Sequence, residues 1–387
     1  MMRIAHVTTD PGIPPFGTKG ASIHVQEILR AFMRLGHEVT LFSPRLSEPG
    51  EAPIPGVHLR PLPAAPRGGD PVQRAAWALA MNHTLAAVLD AEGPFDLIYE
   101  RHALFAHAAM EFAARHAIPS ALELNAPLIE EQANHRTLAR RPEAEASARR
   151  AFAAAGLVAA VSPGASAYAR THGAPPSRVV VEPNGVDAGR FVGRPAMQGP
   201  FTVGFTGTLK PWHDTATLIE AFALLRSDHV PDARLLIVGD GPERAAIEAR
   251  LGTLGLAGAA HLTGAVPAAE VPSWLAQMHA ATAPYHGDRP FYFSPLKLYE
   301  YMAASLPVVA SDVGDLAQVL DHGRLGRVVP PDDPAALAAA LAALAHDPDL
   351  CARLGTAARA QVVAHHGWDR IAARILARAT GKAQEAA

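Results

Sequence analysis

The chain has 387 residues, 49% hydrophobic and only 18% charged, with 34 Lys and Arg against 37 Asp and Glu for a formal net charge of −3. That length predicts two or three domains with ample material for buried cores, and the lack of a basic excess argues against nucleic acid as a partner. The single cysteine, Cys351, excludes an intramolecular disulfide framework and a thiolate zinc cluster, and is read as structural in a reducing cytoplasm.

In chain order, MMRIAHVTTD carries no apolar signal region, so no secretion is predicted. RIAHVTT reads as a buried strand, DPGIPPFGTKGAS as a loop, SIHVQEILRAFMRLG as a helix closed by Gly36, and HEVTLFS as a second strand, which together make a βαβ unit. Strands follow at FDLIYE, SALELN, GLVAAVS and RVVVEP, with helices such as VQRAAWALAMNHTLAAVLD and ALFAHAAMEFAARH between them. After PNGVDAGRFVGRPAMQGP, dense in Gly and Pro, the alternation restarts with strands at FTVGFTG, ARLLIVGDG, AAHLTGA, AATAPY, LPVVASD and GRVVP. The pattern predicts an α/β protein of two doubly wound halves joined near residues 184–200. Ligands of such sheets lie outside the carboxyl ends of the strands, so a site between the halves is the expectation. PAALAAALAALAHD is too short and too weakly apolar to span a bilayer and reads as a soluble helix.

Several loops carry candidate chemistry. VGDGPER has Arg244 where the third glycine of a dinucleotide fingerprint belongs, so its glycines read as a tight strand-to-helix turn that leaves room for a ligand at Gly241. Gly17, Lys19 and Gly20 lie between the first strand and its helix, where exposed backbone N–H groups can meet a phosphate. TGTLKPWHD places Lys210 and His213 at a strand's carboxyl end, with Trp212 as a packing anchor.

SPLKLYEYMA reads as a helix start with Ser294 as N-cap and Pro295 as first helical residue, which puts Lys297 third, where a capping box would carry an acid. A cation at the positive end of a helix dipole is unfavourable unless an anion sits on the free N–H groups with the lysine as its counter-charge. A solvated lysine is the alternative.

IYERHALF places Glu100, Arg101 and His102 after a strand, and LELNAPL places Glu123 and Asn125 similarly. Asp347-Pro-Asp349 reads as a helix cap, and no metal site is predicted. Arg136, Arg140, Arg141, Arg149 and Arg150, interrupted by Glu143 and Glu145, read as a solvated helix face, which leaves membrane attachment unsupported.

The segments GTLKPWHD, PNGVD, LLIVGDGPE, HLTGAVP and SPLKLYEYMAASLPVVASDVG, with RIAHVTTDPG and GTKGASIHVQEI at the N-terminus, resemble the retaining glycosyltransferases of family four over nearly the whole chain. The resemblance implies the GT-B fold: two Rossmann-like domains facing each other across a cleft, here 1–183 on the acceptor side and 184–365 for the donor. The C-terminal helix of 366–387 is expected to pack back on the first domain. It implies a cytoplasmic, metal-independent enzyme with no cofactor, which moves a sugar from a nucleotide-diphosphate donor to a small-molecule, glycan or lipid-linked acceptor.

By the same resemblance Glu300 binds the ribose, while Lys210, Lys297 and the Ser294, Pro295 and Leu296 turn hold the diphosphate. Thr208, His213, Gly241 and Gly264 line the donor. His102, at a strand's carboxyl edge beside charged groups, is read from that placement as positioning donor or acceptor. Two positions depart from the family pattern. Tyr292 stands where the first of two glutamates belongs, and Thr208 stands for the usual arginine, with His213 or Lys210 in place of the usual lysine. A sugar phosphorylase, a sugar-nucleotide epimerase and a non-catalytic nucleotide-sugar-binding protein share the architecture and remain rival readings.

Overall fold

The computed structural model describes residues 1–46, 53–191 and 199–381. Parts of the predicted linker and C-terminal helix fall at 192–198 and 382–387, outside the described residues. The chain divides into two compact units: one of Met1–Asn184, Tyr292–Ser294 and the segment from Trp368, the other of Gly185–Phe291 and Pro295–Gly367.

The first unit is built on strands β1 (Arg3–Thr8), β2 (Glu38–Ser43), β3 (His58–Pro61), β4 (Leu97–Arg101), β5 (Ser120–Leu124), β6 (Leu157–Ala160) and β7 (Val179–Val181). They form one parallel sheet in the order β3-β2-β1-β4-β5-β6-β7. Every residue of β4, β5 and β6 is buried, because helices cover both faces. The edge strand β3, absent from the sequence reading, is short and largely exposed, so HLRP carries no run of apolar residues to announce it.

The second unit repeats the design with β8 (Thr202–Thr206), β9 (Arg234–Val238), β10 (Ala260–Leu262), β11 (Ala280–Ala283), β12 (Val308–Ser311) and β13 (Arg327–Val329). Their order is β10-β9-β8-β11-β12-β13, again all parallel. In each sheet the order reverses at one point, between β1 and β4 and between β8 and β11, and such reversals open a crevice at the strands' carboxyl ends.

Local chemistry sets the helix ends. Gly36 takes a φ of +82° and its N–H bonds the Met33 carbonyl, while the His37 N–H reaches Phe32, closing the Gly20–Arg34 helix as read. The Asp347 carboxylate accepts the Leu350 N–H at 2.7 Å, so Asp347-Pro-Asp349 is a cap. Arg140, Arg141, Arg149 and Arg150 pair with Glu143, Glu145 and Glu111 on an exposed helix face. Cys351 is buried and donates to the Leu344 carbonyl.

The helix read from Ala103 starts only at Ala108. The buried Asn82 amide accounts for the delay: its oxygen accepts from the His107 and Ala108 N–H groups and its nitrogen donates to the Phe105 carbonyl. A side chain thus supplies the cap that no residue of the local sequence offers. The Trp368–Ala379 helix belongs to the first unit and packs on Gly20–Arg34, with Arg34 paired to Asp369 at 2.6 Å and Trp368 set edge-on to His24.

Glu100 lies in β4 between Val7 of β1 and Leu122 of β5, fully buried, with neither carboxylate oxygen hydrogen-bonded. Burial raises its pKa from 4.5 to about 8. The folded state therefore keeps a proton that the unfolded chain releases above its ordinary pKa, so stability falls as pH rises from about 4.5 to about 8. Glu100→Gln, neutral at every pH, flattens this slope and is more stable than the parent near pH 8.5. Urea unfolding at pH 5 and pH 8.5 measures the difference, and parallel pH dependences would show that Glu100 is not the protonated group.

Candidate active site

At the reversal of the second sheet, the loop after β8 is pressed against the loop after β9. The Gly207 N–H bonds Val238, the Leu209 N–H bonds Asp240 and the Glu243 N–H bonds Leu209. Only glycine permits this approach: a Cβ at Gly239 would lie 2.1 Å from the Gly207 oxygen and one at Gly241 2.4 Å from the Leu209 oxygen. Gly241, read as leaving room for a ligand, instead admits the neighbouring backbone. Gly264 meets Gly239 in a single bridge and carries a φ of +74°.

The Leu296–Ala303 helix corrects the reading of its own start. Pro295, not Ser294, is the N-cap, and Lys297 is the second helical residue. Ser294 is drawn to Asn184, whose backbone N–H donates to the Ser294 hydroxyl at 3.0 Å and whose side-chain amide donates to the Ser294 carbonyl at 2.8 Å. With proline as N-cap, no side chain satisfies the first-turn N–H groups, and the turn carries no acid.

Lys297 is 8% exposed, and its ammonium has no hydrogen-bond acceptor. It sits 4.1 Å from the ring centroid of Phe205 on β8 and 5.6 Å from that of Tyr285 after β11. Burial lowers its pKa from 10.5 to about 7, opposed by Glu300. Gly207, with a φ of +141°, lets its backbone lie close to the ammonium: a Cβ there would stand 3.2 Å from Nζ.

Glu300 is half-buried one helical turn on, and loss of hydration raises it to about 7 against the pull of Arg190 and Lys297. Arg190 is fixed by a 2.6 Å bond to the Ala268 carbonyl. His213 packs near Phe205 and Tyr285 and shares a 2.7 Å hydrogen bond with the Thr208 carbonyl, so its Nδ1 carries the proton. Burial first and Lys297 second depress it to about 3, which makes it a neutral imidazole. Of the two basic groups offered for the phosphate loop, the cation is therefore Lys210, at 5.7 Å from the Trp212 ring centroid. Asp214, His286 and Asp332 form the one cluster of metal-ligating type among the described residues. His286 Nδ1 pairs with Asp332 at 2.7 Å, the Gly287 N–H donates to Asp332 and the Thr217 N–H to Asp214 Oδ1, while the buried Asp214 Oδ2 has no hydrogen-bond partner.

The remaining candidates lie in the first unit. The Tyr292 carbonyl accepts from the Ser162 hydroxyl, and burial raises its phenol to about 12, so it supplies no anion where a glutamate was expected. Gly17 is tied down by the Gln26 amide at 2.8 Å, Lys19 is the exposed N-cap of the first helix, and Gly20 opens that helix. His102 is buried against Phe152, and burial lowers it to about 4. Glu123 is a buried hub that accepts from Tyr99, Arg101 and Asn125 and pairs with His24 at 2.5 Å, which holds it ionised. Sequence reading missed Phe205, Gly207, Tyr285 and Arg190: the first three are signalled only by lying at strand ends, and Arg190 only by following PNGVD.

Comparison with known proteins identifies the family and the fold. A model of glycosyl transferases group 1 matches residues 200–347, and a model of glycosyltransferase family 4 matches residues 18–190, together most of the chain. A phosphatidyl-myo-inositol mannosyltransferase of Mycolicibacterium smegmatis is 36% identical over 206 residues, 52% of this chain and 51% of that one, so the match spans about half the relative's length. A glycogen synthase of Mycobacterium tuberculosis is 26% identical over 96% of this chain and 92% of its own. The Anabaena protein HepE, solved in complex with UDP, superposes with a TM-score of 0.72 at 17% identity, covering 97% of this chain and 98% of that one. Two doubly wound parallel sheets, matched in turn by both family models, place the chain among the family-four glycosyltransferases of the GT-B fold.

Proposed function

We propose that the protein moves a sugar, with retention of anomeric configuration and without a divalent metal, from a nucleotide-diphosphate donor to an acceptor hydroxyl. The observation that carries the reading is the buried Lys297 ammonium, without an acceptor, at the switch point of the second sheet. An isolated buried cation is costly and is stabilised by an anion placed against it. The uncapped first turn of its helix adds backbone donors of the same sign.

The reaction needs little else from the protein. The bond between the anomeric carbon and the β-phosphate oxygen breaks, and the charge that develops on that oxygen is met by Lys297, Lys210 and the helix N-terminus. The acceptor oxygen bonds the anomeric carbon on the same face, and its proton passes to the departing phosphate. Glu300, one turn beyond Lys297, accepts from the ribose hydroxyls. A nucleotide-sugar-binding protein without catalysis is the second reading, favoured by the loss of a carboxylate at Tyr292.

Calorimetry with UDP and 2′-deoxy-UDP on the parent, Lys297→Met and Glu300→Ala tests the placement. A charge-assisted contact is worth about 1.5 to 3 kcal/mol, so Lys297→Met binds UDP roughly tenfold or more weakly. Glu300→Ala loses the parent's preference for the ribose ligand. Unchanged affinities in both variants would place the donor elsewhere.

For the chemistry, a screen of nucleotide sugars by thermal shift identifies the donor. Transfer or slow donor hydrolysis then persists at full rate in excess chelator, and the product keeps the donor's anomeric configuration. Loss of turnover restored by magnesium or manganese, or an inverted product, contradicts the mechanism.

A further inference from the structure

We propose that the second unit carries a site for a divalent transition cation of the zinc type, formed by Asp214, His286 and Asp332. The ion joins three loops at the carboxyl edge of one sheet, those after β8, β11 and β13. It takes no part in the sugar transfer, so the inference stands or falls apart from that reading.

The observation that carries it is a buried carboxylate short of partners. Asp214 is 3% exposed, and its Oδ1 accepts the Thr217 N–H at 3.2 Å as the N-cap of the Thr215–Asp228 helix, while its Oδ2 has no hydrogen-bond partner. Among the described residues its only ion-pair partner is the His286 imidazole, with Nε2 3.7 Å from Oδ1. Buried carboxylates are paired with a cation or coordinate a metal. Capping explains one oxygen and leaves the group without a close counter-ion.

The imidazole is oriented as a ligand. Asp332 accepts from its Nδ1 at 2.7 Å, which puts the proton on that nitrogen and turns the Nε2 lone pair toward Asp214. Asp332 is fixed in turn by the Gly287 N–H at 2.8 Å, a contact that glycine allows, since a Cβ at Gly287 would stand 2.6 Å from the Pro331 ring. A carboxylate behind a histidine is the arrangement that fixes the tautomer and ring of a metal-bound imidazole. Two lone-pair donors 3.7 Å apart are beyond hydrogen-bond reach and suit one ion between them. Metal–ligand bonds of about 2.1 Å at the tetrahedral angle set their donors about 3.4 Å apart. One imidazole nitrogen with one carboxylate suits zinc, cobalt and nickel, whereas magnesium and calcium prefer oxygen alone. His286 is half-buried and Asp332 exposed, so the ion enters from solvent and water completes its shell.

The probe is zinc chloride, titrated by calorimetry into the full chain after chelation and buffer exchange, and one equivalent is expected to bind more tightly than any other. Asp214→Asn keeps the helix cap, because asparagine caps as well as aspartate, and removes the carboxylate. That variant and His286→Ala each lose the tight equivalent. Asp332→Asn, which disturbs only the orientation of the imidazole, weakens it roughly tenfold or more. At a hundredfold excess over its Kd, zinc raises the parent's Tm by roughly 5 °C and leaves that of Asp214→Asn and His286→Ala where it stands in chelator. Cooperative melting of every variant in chelator reports that the fold is kept. The chain holds 19 histidines, so zinc bound alike by parent and variants would assign it to scattered surface imidazoles. Magnesium bound as tightly as zinc would assign the ion to carboxylates alone. Either result overturns the proposal.

Discussion

An ammonium group held out of water without an acceptor is the constraint around which the second unit is arranged. Lys297 cannot retreat into solvent, because its helix is packed on both sides: Leu298, Tyr299, Tyr301 and Met302 of the same helix are all buried. It cannot discharge onto a neighbour either, since Glu300 is a turn away and Phe205 and Tyr285 offer only aromatic faces. Burial lowers its pKa to about 7, so near neutral pH the group stands between its charged and neutral forms. An incoming diphosphate shifts that balance toward the cation, adding to the pull that Glu300 already exerts.

The surroundings make sense in that light. Gly207 sets its backbone against Nζ without a side chain between, and the Gly239 and Gly241 contacts lock that backbone, so the lysine's surroundings are set by main-chain geometry rather than by mobile side chains. His213 is neutral and adds no second charge to a crowded site. Glu300 and Lys297 each have a pKa pushed toward 7 by the same cause, loss of hydration, and each is partly relieved by the other. The first unit uses burial differently. There Glu123 is fully paired and held ionised, whereas Glu100 has no partner and keeps its proton.

Much of this was legible in the sequence. Alternating strands and helices fixed two parallel sheets, because buried parallel strands are continuous apolar runs, and β3 escaped for want of one. Lys297 and Glu300 stood out because a helix start should not carry a lysine. The cap itself was misread: Ser294 has the chemistry of an N-cap, but Asn184, 110 positions away, takes both its hydroxyl and its carbonyl. Asn82 escaped for the same reason, since its partners lie more than twenty residues on. Gly241 was seen as a glycine that something must approach, without any means of telling a ligand from the Leu209 backbone. Local pattern predicts elements; the partner of a long-range hydrogen bond has no local signature.

The central claim is that Lys297 is a buried, diphosphate-responsive cation, and the composition makes it directly measurable. The chain has only four lysines, at positions 19, 210, 297 and 382. A protein labelled with 13C at the lysine ε-carbon therefore gives four signals, assigned by single substitution and followed across pH by NMR. The account predicts that the Lys297 signal titrates near 7 in the free protein and that saturating UDP moves its midpoint upward. A midpoint near 10 in the free protein, or one that UDP leaves unmoved, would contradict it.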